Sequence, residues 1–218
     1  MLKRIQEIYL RNRILYSSPG SKSYSQFGED VQISRLVTGS KGTYLDIGSG
    51  HPIIGNNTFK LYREKWSGIL IEPIPELASL SEKVRPRDQV INAAIGPNPG
   101  KHLLYKFHPY QYSTTDELRA TEVISNGIKL EGKIPILVVE LASIVSQIGE
   151  VPGVVSIDAE ANDFLILSQL LDLGILPQVF CIEDFEQDQS SLIHQKMIKS
   201  GYSLKAKIYP SSIYLYNN

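Results

Sequence analysis

The sequence has little cysteine, almost no net charge and no long apolar run, and each shortage excludes something. The single cysteine, Cys181, excludes an internal disulfide framework and any cysteine-rich zinc cluster. It sits inside an apolar run, so the plain expectation is a buried core thiol. No stretch approaches the roughly 20 apolar residues of a membrane span. The start, Met1-Leu2-Lys3-Arg4, is not followed by an apolar stretch of signal-peptide length, so a cytoplasmic protein is expected. With 22 Lys and Arg against 23 Asp and Glu the net charge is −1, and no global basic field calls for nucleic acid. Repeats, low-complexity tracts and long linkers are also missing. What is present is 218 residues, 42% hydrophobic and 21% charged. That is ordinary globular usage, long enough for one domain with a sizeable core.

The charge is unevenly spread. Residues 1–22 carry Lys3, Arg4, Arg11, Arg13 and Lys22 against Glu7, a net +4, which leaves −5 for the remainder. Ile5, Ile8, Tyr9 and Leu15 give this stretch an apolar stripe. A helix packed on the domain edge is expected, with peripheral contact to an anionic membrane as the alternative.

Beyond it, strand and helix signals alternate, which predicts a mostly parallel sheet with helices on both faces. Expected strands are Thr43–Ile47, Gly68–Glu72, Val90–Ile95, Val154–Asp158 and Val179–Ile182, with helices between them. Pro75 suits a helix start, and Gly174 and Gly201 suit helix ends. Tyr202–Tyr209 and Ser212–Tyr216 are linked by only Pro210-Ser211, which forces an antiparallel pair. Residues 100–140 read as a β-rich insertion, and Asn126-Gly127 gives a hairpin signal inside it.

Ligands of open α/β sheets bind beyond the carboxyl ends of the strands, so those ends carry the functional reading. The first strand runs into Asp46-Ile47-Gly48-Ser49-Gly50-His51-Pro52. Two glycines let a ligand approach the backbone. The third glycine of a dinucleotide fingerprint is replaced by Ile53, and no Gly-Lys-Ser or Gly-Lys-Thr phosphate loop is present. Asp46 puts a carboxylate beside the ligand, which suits a cationic amine better than a phosphate. Glu72 ends the second strand 22 residues after Gly50, where an acidic side chain binds the hydroxyls of an adenosine ribose. A nucleoside joined to an amino acid, as in S-adenosylmethionine, fits both carboxylates.

Four motifs in order then carry a family resemblance: Tyr24-Ser25-Gln26-Phe27-Gly28-Glu29-Asp30, Asp46-Ile47-Gly48-Ser49-Gly50-His51-Pro52, Trp66-Ser67-Gly68-Ile69-Leu70-Ile71-Glu72-Pro73, and Ile157-Asp158-Ala159-Glu160-Ala161-Asn162-Asp163-Phe164. From about residue 24 to the C-terminus the chain resembles the FkbM-type S-adenosylmethionine-dependent methyltransferases. The resemblance implies a class I methyltransferase Rossmann-like fold, a mostly parallel seven-stranded sheet closed by a C-terminal antiparallel hairpin. It implies O-methylation of a sugar hydroxyl on a surface glycan or of a natural product. The organisation expected is a basic helical extension over 1–23 and one methyltransferase domain over 24–218. Asp46, Gly48, Ser49 and Gly50 would line the methionine and ribose of the cofactor. Glu72, followed by Pro73, would hold the ribose hydroxyls, and Asn92 and Ala93 would border the adenine. Gln26, Glu29 and Asp30 would close over the site. Asp158 would face the transferred methyl. Two departures stand out: Ala161 replaces the family's usual glycine, and Leu141-Ala142 replaces its usual Leu-Asp.

A sugar hydroxyl needs a base or a metal to lose its proton. Asp158 and Glu160 are the first candidates for the base and His51 the second. Asp158, Glu183 and Asp184 are candidate oxygen ligands for Mg²⁺, against the plain reading of a solvated acidic loop. Tyr105, Tyr110, Tyr112 and His108, with Ser113, Thr114 and Thr115, offer the insertion to an acceptor. With no length left for a second domain, the acceptor is expected to meet the insertion, the N-terminal segment or another subunit of a homo-oligomer. Two other readings remain: an NAD(P)-dependent oxidoreductase, disfavoured by Ile53 and the closing hairpin, and a non-catalytic relative that keeps the fold.

Overall fold

The computed structural model describes residues 23–39, 41–159, 162–186 and 188–217. The expected extension over 1–23 therefore lies almost entirely outside the described residues, as does Glu160.

Seven strands form the main sheet. β1 (Thr43–Ile47), β2 (Ser67–Ile71), β3 (Gln89–Ile91), β7 (Val154–Ile157) and β8 (Val179–Glu183) run parallel, and β9 (Tyr202–Ile208) and β10 (Ser211–Tyr216) close it. The order is β3-β2-β1-β7-β8-β10-β9. β10 is antiparallel to both neighbours and fills the gap between β8 and β9. The sequence reading of five parallel strands and a terminal hairpin matches this arrangement.

The central strands are apolar on both sides because both faces are covered. Leu45, Val155 and Phe180 point to one face, where α5 (Leu141–Val145), α6 (Asp163–Asp172) and α7 (Leu192–Lys199) bury Ile144, Ile166, Leu167, Leu170 and Met197 against them. Their neighbours Tyr44, Val154 and Cys181 point the other way, onto α1 (Glu29–Leu36) and α2 (Phe59–Arg63) through Ile33, Phe59 and Leu61. Cys181 is a buried thiol, as expected. α3 (Pro75–Val84) begins with its proline at the first helical turn. No helix among the described residues is long and apolar enough to cross a membrane.

The structure corrects the expected secondary structure at two places. Val90–Ile95 is not one strand. The chain leaves the main sheet after Ile91, turns at Asn92-Ala93, and Ala94–Ile95 (β4) pairs with a second sheet. A continuous apolar run carries no signal for a change of partner. Asn126-Gly127 is not a hairpin turn either. It ends α4 (Glu117–Ser125), with Gly127 at φ 81°, the left-handed residue that follows a helix. Asp116 caps the other end by accepting from the Arg119 amide at 2.8 Å. Helix ends and two-residue hairpins use the same Asn-Gly pair, and here Ala120 and Val123 bury against Phe107 with helical spacing.

The second sheet has the order β4-β6-β5, with β5 over Gly100–His108 and β6 over Lys129–Val139 antiparallel along their length. It packs on the start of α3 through Ile74, Leu104, Ile136 and Val138. This places the turn after β5 over the carboxyl ends of β1 and β2.

Candidate active site

A cleft of about 1020 Å³ opens there. Gly48, Ser49, Gly50, Glu72, Pro73 and Ala93 line it beyond β1 and β2, Gln26 and Phe27 line it from the segment before α1, and Asp158 and Glu183 line it beyond β7 and β8.

The turn after β1 is held by backbone bonds. The amides of Gly48 and Ser49 donate to the Ile71 carbonyl at 2.9 and 3.1 Å, and the Asp158 amide donates to the Ile47 carbonyl at 2.9 Å. Gly48 has φ 73°, and a Cβ there would stand 1.7 Å from the Asp158 carbonyl oxygen. Only glycine meets both demands. The Ser49 hydroxyl is buried and has no hydrogen-bond partner.

Glu72 is 3% exposed. One of its oxygens accepts from the Gly50 amide at 2.7 Å and the other from the Ile74 amide at 2.8 Å. Burial pushes its pKa up to about 7, against the pull of those two amides. A carboxylate offers about four acceptor directions, so each oxygen keeps capacity for one more donor. Asn92 is exposed and donates to the Glu72 and Pro73 carbonyls, outside the cleft wall, while Ala93 is buried against it.

Asp46 does not lie beside the ligand space as the sequence reading expected. Its side chain shares the sheet face of Tyr44, because side chains alternate along a strand. It is 3% exposed and accepts from the Thr58 hydroxyl at 2.6 Å and the Asn56 amide at 3.2 Å. Asn56 also donates to the Ser49 carbonyl at 2.9 Å and accepts from the Phe59 amide at 2.7 Å. It thus ties the glycine turn, Asp46 and α2 together. Below them Arg85, fully buried, donates to Thr58, Asn56 and Tyr44 and pairs with Asp88 at 2.7 Å. Burial raises the Asp46 pKa, and the Arg85 charge opposes that rise. The sequence reading missed Asn56, Thr58 and Arg85. The Asn-Asn-Thr run before Phe59 was the available signal, since such residues cap helices. Nothing local marked Arg85.

Glu29 and Asp30 are also buried supports rather than cleft walls. Asp30 accepts from Ser23, Ser25 and the Tyr24 amide at 2.7 to 2.8 Å. Glu29 accepts from the Phe27 amide at 2.8 Å. Together they fix the bend that presents Gln26 and Phe27 to the cleft.

His51 is turned into its own loop. Its Nδ1 accepts from the Ile53 and Ile54 amides at 3.2 and 3.1 Å, and burial lowers its pKa. Its backbone amide donates to the Tyr110 hydroxyl at 3.1 Å, which brings the insertion onto the glycine turn. Tyr110, Tyr112, Ser113, Thr114 and Thr115 line the cleft, whereas Tyr105 packs under Lys133 and His108 is exposed beside Glu131.

Asp158 is exposed and lines the cleft beyond β7. Asp184 is 5% exposed and accepts from the Ser191 hydroxyl at 2.7 Å. Among the described residues no three His, Cys, Asp or Glu side chains gather closely enough to hold a metal ion, so Asp158, Glu183 and Asp184 do not form the site considered for Mg²⁺.

A sheet with one reversed strand beside its edge, a glycine turn after β1 and an acid ending β2 define the class I methyltransferase fold. The chain belongs to the methyltransferase FkbM domain family, which matches residues 46–204. No curated protein matches it in sequence. A TehB-like SAM-dependent methyltransferase from Corynebacterium glutamicum overlays with TM-score 0.46 at 12% identity, covering 100% of each chain. An O-methyltransferase from Bacillus cereus in complex with SAH overlays with TM-score 0.45 at 13% identity, covering 97% of this chain and 88% of that one. The SAH-bound methyltransferase PaMTH1 of Podospora anserina gives TM-score 0.46 at 10% identity, covering 98% and 88%. The fold assignment rests on the sheet order and the family match, not on these distant overlays.

Proposed function

We propose that this protein is an S-adenosylmethionine-dependent O-methyltransferase acting on a hydroxyl of a sugar or natural product. The observation that supports it most is the Glu72 carboxylate. It is buried at the end of β2, fixed by two amides, faces the cleft, and keeps one acceptor direction on each oxygen. That geometry suits a vicinal diol, as on a ribose. The Ser49 hydroxyl, buried without a partner on the same turn, leaves a donor for the same ligand.

When bound, S-adenosylmethionine supplies an electrophilic methyl carbon on a sulfonium. Donation of that methyl group to an acceptor oxygen is the chemistry the cofactor would supply, and Glu72, Ser49 and the glycine turn would hold it. The chain's own work is positioning and proton removal. Glu72 and the glycine turn orient the nucleoside. Phe27 and Gln26 shield it from water. Asp158, in the cleft beyond β7, takes the acceptor's proton on a carboxylate oxygen. Glu160 lies outside the described residues and stays second to Asp158. His51 is a weaker candidate, because its Nδ1 is occupied by two amides. The basic N-terminal segment is proposed to lie outside the catalytic fold.

Calorimetric titration tests this reading. Heat on adding S-adenosylmethionine and none on adding NAD is the expected result. The reverse pattern would favour an oxidoreductase.

A further inference from the structure

Gly50 is clamped on both sides. Its own amide donates to a Glu72 oxygen at 2.7 Å, and the next amide, of His51, donates to the Tyr110 hydroxyl at 3.1 Å. Gly50 itself has φ 59°, and a Cβ there would stand 3.2 Å from both Cε2 and the hydroxyl oxygen of Tyr110. The space beside residue 50 therefore belongs to this tyrosine. Glycine has more backbone freedom than any other residue, so its geometry here is set by what holds the two amides.

Tyr110 is in turn held by the insertion. It opens a short helical turn, Tyr110–Tyr112, closed by the Ser113 amide donating to the Tyr110 carbonyl at 2.9 Å. The backbones of Tyr105 and Thr114 exchange two hydrogen bonds, at 2.8 and 3.2 Å, which tie the two sides of this loop together. The Tyr110 side chain packs against the cluster of Ile74, Leu104, Ile136 and Val138. Ile74 is the residue whose amide donates to the other Glu72 oxygen at 2.8 Å. Tyr110 thus reaches both segments that supply Glu72 with donors: the glycine turn through its hydroxyl, and the start of α3 through the apolar cluster.

We infer that Tyr110 is a positioning residue for the cofactor, set by the insertion against the glycine turn to hold the Gly50 amide on Glu72. Two fixed amides fix the rotation of the carboxylate, and with it the directions of the lone pairs left for a ligand. Without the Tyr110 hydroxyl the His51 amide loses that acceptor, Gly50 regains backbone freedom, and its amide holds Glu72 less firmly. The insertion then serves the nucleoside as well as the acceptor. This inference rests on the proposed reading of Glu72 as the ribose ligand and adds a residue to that site.

The test compares the full chain, unaltered and as Tyr110→Phe, which keeps the ring and removes only the hydroxyl. Calorimetry reads the affinity for S-adenosylhomocysteine, and NMR reads amide hydrogen exchange in the ligand-free proteins. Tyr110→Phe is expected to bind S-adenosylhomocysteine about fivefold more weakly. Its Gly50 amide is expected to exchange faster by about the same factor although its own acceptor, Glu72, is unaltered, while the amides of β1 and β7 keep their rates. Unchanged affinity would overturn the role. So would weaker affinity with unchanged Gly50 exchange, because Tyr110 would then act by touching the ligand itself. Faster exchange throughout β1 and β7 would reduce Tyr110 to a prop of the fold and overturn the role as well. Failure of the unaltered protein to bind S-adenosylhomocysteine would instead remove the cofactor reading on which the inference rests.

Discussion

The two ends of the cleft are built from opposite materials. Over β1 and β2 the polar groups are buried and held by the protein: Asp46, Asn56, Thr58 and Arg85 bond to one another, and Glu72 holds two amides while keeping one acceptor direction on each oxygen. Over β8 and the β9–β10 turn the lining side chains Phe185 and Tyr209 are exposed aromatics on a loop frame. A buried polar network has few arrangements that satisfy every member, so it fixes one geometry and is costly to disturb. Exposed rings cost little to change and leave the backbone where it was. One end is therefore suited to a single invariant ligand and the other to whatever acceptor the loops select.

The comparison breaks most sharply at Gly48. A methyl group there would meet the Asp158 carbonyl and strain a left-handed residue. Gly48→Ala should cost more than about 4 kcal/mol, read as a collapse of the melting temperature. A smaller loss is expected for Arg85→Met, which leaves the Asp88 and Asp46 carboxylates buried without their cation. Roughly 3 kcal/mol should disappear in denaturant unfolding. An equal loss for Phe185→Ala would erase the contrast between the ends.

Glu72 sharpens the same contrast through pH. Its folded pKa, about 7, lies above the ordinary 4.5. The folded state then binds more protons than the unfolded one between those values, so this group's contribution to stability falls as pH rises from about 4.5 to 7. Glu29 and Asp46, also raised by burial, add in the same direction. Glu72→Gln should flatten the decline by on the order of 3 kcal/mol, measured as melting temperature against pH. The smallest effect belongs to His51→Ala, which frees two loop amides. About 1 kcal/mol of stability should go, with methyl transfer retained; loss of transfer at unchanged cofactor affinity would restore His51 as the base.

Much of the main sheet was legible because its strands are continuous apolar runs broken by glycine and proline. Tyr44, Leu45 and Ile47 announce β1, and Pro210-Ser211 dictates the antiparallel end. The errors arose where one signal serves two structures. Val90 to Ile95 reads as one strand although its halves pair with different sheets. Asn126-Gly127 serves a helix end as well as a hairpin. At the site, Glu72 was legible from its distance to Gly50, since that spacing is set by one βαβ unit. Asp46 was legible as important but not as a buried support, because which face a strand residue takes depends on its neighbours in space. Arg85 was not legible at all. Its partners Tyr44, Asn56 and Thr58 are 27 to 41 residues away in sequence, and only the fold brings them together.

The central claim is that Glu72 receives the ribose of an adenosyl cofactor. Titrating S-adenosylhomocysteine into the unaltered protein and into Glu72→Ala, with the fold of each checked by circular dichroism, tests it most directly. The account predicts binding to the first and an affinity lower by roughly 30-fold or more in the second. Equal affinity in the two proteins, or no binding to the unaltered one, would contradict it.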